Sequence, residues 1–257
     1  MVTKIKALLP SAFVPVVISL WHKLRPFIRI IFFGHERYCP VCDSWTRLFL
    51  SYGPWNRRRK GVVCPVCFSH ERHRLAWVFI TTTTDLVCGL PKKLLHFAPE
   101  PEFERKLKRI PRLEYLSADL LNTRVIEKMD ICGINRPDDS FDIILCSHVL
   151  EHVSDDRKAI RELFRVLKPG GWALLQVPVS GEVSVEDASI TEPEERERLF
   201  GQIDHVRRYG LDIKDRLKAA GFQVDVIYGK DVTEPWSEKR PCAYGTSPIF
   251  YCRKAME

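Results

Sequence analysis

The sequence of 257 residues predicts a doubly wound α/β domain with a largely parallel sheet, preceded by a small metal-binding module. Two patterns predict this organisation. Strand-like apolar runs alternate with helical periodicity from residue 92 onward, and two Cys-x2-Cys pairs lie between residues 38 and 74. With 45% hydrophobic and 28% charged residues, the composition excludes a disordered chain, a fibrous repeat and a polytopic membrane protein.

The basic excess of the chain lies in its first third. Residues 1–74 contain 13 Lys or Arg and 3 Asp or Glu, which is a net charge of +10. Residues 75–257 contain 27 basic and 30 acidic residues, which is a net charge of −3. We therefore expect the N-terminal part to contact an anionic partner that the rest of the chain does not contact.

Residues 1–37 are predicted to form a basic amphipathic helix. The uncharged run from Ala7 to Trp21 has 15 residues, fewer than the roughly 20 that a membrane-spanning helix needs. Apolar residues recur at helical spacing beside Lys and Arg. Three interpretations stay open, namely a helix packed on the protein's own core, an anchor in the interface of an anionic membrane, and a cleaved signal peptide.

Residues 38–74 are predicted to fold around a metal ion. Two Cys-Pro-Val-Cys turns, separated by 21 residues, supply the thiolates. These ligands are Cys39, Cys42, Cys64 and Cys67. Four sulfurs suit structural Zn2+, with iron as the alternative, and a closed shell leaves no position for a catalytic water. His70 and His73 could substitute as metal ligands, but the favoured expectation is that they face outward, together with Arg72 and Arg74, from the start of the next helix.

Two further features bear on location and partners. The nine cysteines are odd in number and mostly scattered, which indicates a reducing compartment and hence a cytoplasmic protein. The basic run from Trp55 to Gly61 could bind nucleic acid, anionic lipid or a phosphorylated substrate, or could remain solvated.

From residue 92 onward the predicted strands and helices alternate. The predicted strands are Leu94–Ala98, Leu113–Ser117, Phe141–Cys146, Trp172–Val177, Phe222–Tyr228 and Pro248–Cys252. The predicted helices are Phe103–Ile110, Val149–Leu167 and Leu211–Ala220. Residues 179–210 are polar and long for a plain connection, so we predict an insertion that acts as a lid or binds substrate.

Two acidic residues favour an adenosine pocket at the carboxyl edge of this sheet, where doubly wound folds bind ligands. Asp119 ends the second strand, where a carboxylate can accept both ribose hydroxyls. Asp130 could accept from an adenine amino group while the amide of Ile131 faces a ring nitrogen. Either residue alone is more typical of a surface or capping acid, but the pair in this order is not.

The segment from Asp130 to Gly171 carries a recognisable family pattern. It contains Pro137-Asp-Asp-Ser-Phe-Asp-Ile-Ile-Leu, then His148-Val-Leu-Glu-His-Val, then Arg165-Val-Leu-Lys-Pro-Gly-Gly. It closely resembles class I S-adenosylmethionine-dependent methyltransferases of the type 11 group, and the order of elements extends the likeness over roughly residues 92–253. The resemblance implies a Rossmann-like sheet of seven strands, the last of them antiparallel, and S-adenosylmethionine as the methyl donor.

The resemblance also implies a set of cofactor-binding residues. They are His96, Phe97, Ala98, Glu100, Asp119, Leu120, Asp130, Ile131, Ser147 and His148. The first loop departs from the family pattern, because His96 replaces the acid and Ala98 the first of several glycines. Glycines allow close approach of the backbone to the cofactor. Glu100 or Glu102 could instead bind the cofactor's ammonium group; the alternative is that cofactor binding has been lost.

Methyl transfer requires alignment of the acceptor and exclusion of water, and a hydroxyl acceptor also requires a base. We predict His148 and His205 as the catalytic residues, and we expect His152 to cap or pack. The predicted substrate-binding residues are Glu151, Asp204, Arg207 and Tyr209.

Three functions follow from these features. The favoured one is transfer of a methyl group to a hydroxyl of a small molecule, glycan or lipid-linked sugar at the inner face of a membrane. The second is an RNA methyltransferase whose zinc module grips RNA. It is disfavoured because the basic residues do not continue into residues 92–257 and Cys146-Ser-His148 stands where an Asn-Pro-Pro-Tyr-like motif would follow the strand. The third is a non-catalytic binding module with a degenerate loop.

Overall fold

The computed structural model describes residues 24–53, 58–232 and 244–256. The described chain divides into two compact units, the first ending at Arg74 and the second beginning at Leu75. Within the described residues, no helix combines the length and the apolar content needed to cross a membrane. The amphipathic helix was predicted for residues 1–37, and its first 23 residues lie outside the described residues. In the described part, residues 24–31 are helical (α1).

Two small hairpins form the first unit after α1. Strands β1 (Arg37–Cys39) and β2 (Ser44–Thr46) pair antiparallel. Strands β3 (Leu50–Tyr52) and β4 (Arg59–Val63) pair in the same way. Each Cys-Pro-Val-Cys turn is followed by a residue in the left-handed region, Asp43 with φ 53° and Phe68 with φ 58°. The repeated sequence therefore forms the repeated turn that brings the cysteines together.

The expected outward orientation of the residues that open helix α2 (Glu71–Thr83) is wrong. His73 is 9% exposed and Arg74 is fully buried. The guanidinium of Arg74 donates to the carbonyl of Ser69 (3.0 Å) and lies 4.3 Å from the ring centre of Phe49. Burial, with help from the nearby Arg72, lowers the pKa of His70 to about 2. The first turn of α2 therefore packs onto the cysteine module, because its long side chains satisfy loop carbonyls there.

The second unit is built on a sheet of seven strands in the order β12-β13-β9-β8-β5-β6-β7. The strands of this unit, in chain order, are β5 (Lys92–Phe97), β6 (Leu113–Asp119), β7 (Glu127–Lys128), β8 (Phe141–Ser147), β9 (Leu167–Gln176), β10 (Val185–Glu186), β11 (Arg207–Arg208), β12 (Gln223–Ile227) and β13 (Ile249–Arg253). Strand β13 is antiparallel to both neighbours, whereas β5 to β9 pair parallel. The implied sheet of seven strands with an antiparallel last strand is confirmed.

The helices of this unit are α3 (Pro101–Leu107), α4 (Asp156–Val166), α5 (Pro193–Phe200) and α6 (Ile213–Ala219). The predicted helix from Val149 to Leu167 is too long at its start. Asp155 caps α4 by accepting from the amide of Lys158 (2.9 Å), and Leu150–His152 forms a separate 3-10 turn. An N-cap Asp ends the preceding segment because its side chain replaces the missing helical acceptor.

Strand β8 lies at the centre of the core, as its continuous apolar sequence predicts. Ile143, Ile144, Leu145 and Cys146 are each at most 3% exposed. Burial raises the pKa of the Cys146 thiol far above its usual value, so this cysteine remains an inert core residue beside the site. Among the described residues, no cysteine takes part in a disulfide bond.

Candidate active site

Three parallel strands end together at one edge of the sheet. Phe97 of β5 lies opposite Ala118 of β6 on one side and Cys146 of β8 on the other. The residues that follow, Ala98 and Asp119, therefore share this edge with Ser147. The chain order reverses between β6 and β8 around β5, which creates the crevice where doubly wound sheets bind ligands.

Ala98 keeps a glycine-like backbone in the first loop. Its φ is 48°, and its amide donates to the carbonyl of Ala118 (2.9 Å). The side chain at this position therefore differs from the family pattern while the backbone is in the region that glycine favours. His148 at the end of β8 is also left-handed, with φ 55°. Such conformations cost about 1–2 kcal/mol for residues other than glycine and tend to occur at functional sites.

Ala98→Gly is expected to stabilise the protein by about 0.5–1 kcal/mol. The left-handed strain of about 1–2 kcal/mol is removed, and the greater freedom of glycine in the unfolded chain costs about 0.5–1 kcal/mol. Chemical denaturation of the full-length protein measures the change. The matched control is Ala220→Gly, where φ is −82°, and we expect a loss of about 0.5–1 kcal/mol there. Equal destabilisation by both substitutions would contradict the account of the loop.

His96 supports the first loop through two buried hydrogen bonds, and its contact with the cofactor stays a prediction. It is fully buried, with Nε2 at 3.0 Å from Glu100 Oε2 and Nδ1 at 3.0 Å from the Tyr115 hydroxyl. Because a carboxylate only accepts, Nε2–H donates to Glu100, and the Tyr115 hydroxyl then donates to Nδ1. Phe97 is also buried, at 2% exposure. Glu100 and Glu102 were the two acids predicted to bind the ammonium group. His96 holds Glu100, whereas Glu102 bonds Arg105 at 2.6 Å.

The two acids predicted to bind adenosine are held by backbone amides. Asp119 Oδ1 accepts from the amides of Leu121 (2.7 Å) and Asn122 (2.8 Å). Its Oδ2 makes no hydrogen bond to the described residues. Asp130 Oδ1 accepts from the amide of Cys132 (2.8 Å). Each carboxylate is therefore fixed through one oxygen, which leaves Asp119 Oδ2 to accept from a ribose hydroxyl.

The predicted catalytic histidine lies where β8 ends. The amide of His148 donates to the carbonyl of Gln176 (2.9 Å), and Ser147 Oγ donates to Gln176 Oε1 (3.2 Å). His148 Nδ1 lies 3.0 Å from Glu151 Oε1, with side-chain exposures of 30% and 1%. The carboxylate accepts from Nδ1–H, so Nε2 carries the lone pair. This pairing suits a general base oriented by a buried acid.

The insertion is tied to the turn after β8 by buried side chains. Arg207 donates to the carbonyls of Leu150 (3.0 Å) and Ser154 (2.8 Å) and also bonds that of Val153. The Tyr209 hydroxyl donates to Asp156 Oδ2 (2.6 Å). Arg207 is 5% exposed and Tyr209 fully buried. This geometry positions the insertion, and direct contact of either residue with substrate stays a prediction.

Sequence reasoning missed the acids and the arginine that complete this network. Arg216 bonds Asp156 (2.8 Å) and Glu186 (2.9 Å), and Glu186 also bonds Arg207 (3.0 Å). Arg216 and Arg207 lower the pKa of Glu186 to about 2. The partners lie 21 to 60 residues apart in sequence, so no local spacing could have predicted them.

His152 and His205 meet beyond the catalytic histidine. Their rings lie 4.8 Å apart in an edge-to-face arrangement. His152 Nδ1 is 3.3 Å from both the carbonyl oxygen and Oδ2 of Asp204. His205 is 3% exposed, and burial lowers its pKa. The sequence prediction that His205 is catalytic stays a prediction, but its place beside Glu151 and His152 is now defined.

The four cysteines of the first unit form one buried cluster. Cys39 Sγ lies 3.6 Å from Cys67 Sγ, and Cys42 Sγ lies 3.8 Å from Cys64 Sγ. Sulfurs bound tetrahedrally at about 2.3 Å from Zn2+ lie about 3.8 Å apart. The Ser69 hydroxyl lies 3.1 Å from both Cys39 and Cys67. The cluster is therefore compatible with a structural zinc site.

Comparisons with known proteins find similarity to methyltransferases. Residues 95–175 match the family model of a methyltransferase domain. The uncharacterized methyltransferase YcgJ of Bacillus subtilis (strain 168) is 62% identical over 39 residues, 15% of each chain. Ajmaline N-methyltransferase of Rauvolfia serpentina is 29% identical over 119 residues, 44% of this chain and 41% of that enzyme. The chain thus matches less than two thirds of the length of these relatives.

Among solved structures, an S-adenosylmethionine-dependent methyltransferase of Mesorhizobium loti superposes with a TM-score of 0.49 at 16% identity. The superposition covers 70% of this chain and 98% of that one. The resemblance stated from the motifs between Asp130 and Gly171 is confirmed by the family match, whose boundaries include strands β8 and most of β9. Residues 95–175 therefore belong to the methyltransferase domain family.

Proposed function

We propose that the protein transfers a methyl group from S-adenosylmethionine to a hydroxyl of a small molecule, a glycan or a lipid-linked sugar. The observation that carries the proposal is the common placement of Asp119 and the His148–Glu151 pair at the carboxyl edge of the sheet. When bound, S-adenosylmethionine supplies a methyl carbon activated by its sulfonium charge.

The residues at the edge fit this cofactor. Asp119 Oδ2 accepts from the ribose, and Asp130 follows at the end of the next loop with the buried Ile131 beside it. Glu100, oriented by His96, offers negative charge next to the left-handed Ala98 for the ammonium group. These are the electrostatic and backbone features that a cationic adenosine ligand requires.

His148 is the group that takes the acceptor proton. Glu151 holds its Nδ1–H at 3.0 Å, so Nε2 can accept the proton of a hydroxyl as the oxygen attacks the methyl carbon. A screen of cell-envelope glycans and lipid-linked sugars with methyl-labelled cofactor identifies the acceptor. With that acceptor, we expect His148→Ala to lower kcat about 100-fold or more while affinity for S-adenosylhomocysteine changes little. Undiminished kcat would remove His148 from the mechanism.

We further propose that residues 1–37 bind an anionic membrane surface. Within residues 24–37, five large apolar side chains are exposed, with exposures from 43% at Leu24 to 74% at Ile30. The other three in α1 and its end are Phe27, Ile31 and Phe33. They occur in a segment of net charge +10 over residues 1–74. Exposed apolar and basic residues together suit the interface of anionic lipid.

The apolar face has a direct test. Phe27→Ser combined with Ile30→Ser is expected to reduce sedimentation with vesicles containing anionic lipid by tenfold or more, because burial of each side chain contributes about 1.5–3 kcal/mol. The matched control is Leu90→Ser, which removes an apolar side chain of 64% exposure from the second unit, and it should sediment like the unmodified protein. Equal sedimentation of all three proteins would contradict membrane binding through α1.

A further inference from the structure

Glu151, His152 and His205 form a second group of side chains with metal-binding atoms. One such atom from each lies within 4.8 Å of the others. Glu151 and His152 come from the 3-10 turn after β8, and His205 comes from the insertion. Residues from two segments 53 positions apart therefore converge on one point of the second unit.

Two polar side-chain atoms of this cluster are buried without a partner in the described part of the chain. They are Glu151 Oε2 and His205 Nε2, in side chains that are 1% and 3% exposed. A buried polar atom left unsatisfied costs about 1–3 kcal/mol. Native structures rarely leave such atoms unbound, so a pair of them within one cluster indicates a bound ligand.

The other polar atom of each of these two side chains is hydrogen-bonded, which fixes the orientation of the side chain. His205 Nδ1 lies 3.0 Å from the carbonyl oxygen of Phe200, so Nδ1–H donates and Nε2 keeps its lone pair. Glu151 Oε1 is occupied by His148 Nδ1, which leaves Oε2. Histidine ligands of metals show this same arrangement, with one ring nitrogen bound to a carbonyl or carboxylate.

His152 completes the cluster from the solvent side. Its Nδ1 donates to the carbonyl of Asp204 (3.3 Å), so its Nε2 also keeps a lone pair. The side chain is 35% exposed, which gives an ion a path from solvent.

We propose that Glu151, His152 and His205 bind one divalent transition-metal ion, with Zn2+ as the probe. Two imidazole nitrogens and one carboxylate oxygen form the ligand set of open zinc sites and of 2-His-1-carboxylate sites. Ligands at about 2.0–2.1 Å from Zn2+ lie about 3.4 Å apart, so small side-chain rotations close the cluster from its present spacing. The open positions distinguish it from the four-cysteine cluster.

Metal analysis of the full-length protein after loading with Zn2+ and gel filtration tests this site without any assay of activity. We expect a second zinc ion per chain beyond the one held by the cysteines. Glu151→Gln, His152→Ala and His205→Gln should each lose the second ion and keep the first. Each protein is saturated with Zn2+, dialysed and then titrated with Zn2+ in a calorimeter. In the three ligand variants, the affinity of the second site should fall by more than the roughly 100-fold that loss of an outer partner causes.

Two matched controls separate ligand loss from general disturbance. His35→Gln and Glu194→Gln change exposed residues of the same types and should retain both ions. His152→Ala alters the partly exposed member of the cluster, so its fold, checked by circular dichroism, should be unchanged. A single zinc ion in the unmodified protein, with no further binding of Mn2+ or Co2+, would overturn the proposal. Retention of the second ion by all three ligand variants would overturn it as well.

Discussion

Asp119→Ala is expected to weaken binding of S-adenosylhomocysteine about 100-fold or more. A carboxylate that accepts from ribose hydroxyls makes charge-assisted hydrogen bonds worth about 1.5–3 kcal/mol each, and the structure leaves Oδ2 for them at the end of β6. Calorimetry of the full-length protein with S-adenosylhomocysteine measures the loss. The thermal unfolding midpoint, measured alongside, reports any change in stability.

Asp119→Asn separates ligand contact from the local fold. An asparagine Oδ1 can still accept from the amides of Leu121 and Asn122, whereas the uncharged Nδ2 that replaces Oδ2 donates to a ribose hydroxyl instead of accepting from it. We therefore expect a loss of about tenfold in affinity with little change in stability, on the order of the charge-assisted part of one hydrogen bond. Asp225→Ala removes an exposed acid of β12 that pairs with Arg253 of β13. This variant serves as the control and should leave the affinity for S-adenosylhomocysteine unchanged. Wild-type affinity in Asp119→Ala would exclude the proposed ribose contact.

We expect the cysteine cluster to bind one zinc ion, and we expect Cys64→Ser to release that ion and to unfold the hairpins of the first unit. Structural zinc contributes apparent binding free energies of about 10–16 kcal/mol in small metal-dependent folds, far more than two short hairpins can supply. Metal analysis should show the loss of one zinc ion per chain. Hydrogen exchange should show loss of protection for β1 to β4.

Cys88→Ser provides the matched thiol control. Cys88 is exposed and lies in the second unit, so this variant should retain its metal and the protection of the hairpins. The same metal content in both variants would contradict assignment of the cysteine cluster as a metal site. Iron instead of zinc in the metal analysis would keep the site and change only the ion.

Periodicity predicted the sheet because its strands are governed by local and largely apolar sequence. Strand β8, buried on both faces, is the clearest example. Strand β7 has only two residues, too few to produce a pattern. The predicted helix began too early because the apolar spacing from Val149 onward is helical. The Asp155 cap decides where α4 begins.

The ends of the strands were predictable from the sequence, but the contacts around the candidate site were not. Position at a strand end predicted Asp119, which ends β6, and His148, which directly follows β8. The sequence could not show that Ala98 adopts a glycine-like φ, because only the surrounding hydrogen bonds decide this. Burial of Arg207 and Tyr209 was also beyond local reasoning, since Asp156 and Leu150 lie more than 50 residues away in sequence.

The central claim is that the carboxyl edge formed by β5, β6 and β8 binds S-adenosylmethionine. Calorimetric titration of the full-length, metal-loaded protein with S-adenosylhomocysteine tests it most directly. We predict saturable binding at one ligand per chain, weakened by Asp119→Ala and unchanged by Asp225→Ala. No binding heat at high protein concentration, at two temperatures to exclude a chance zero of the enthalpy, would contradict the claim.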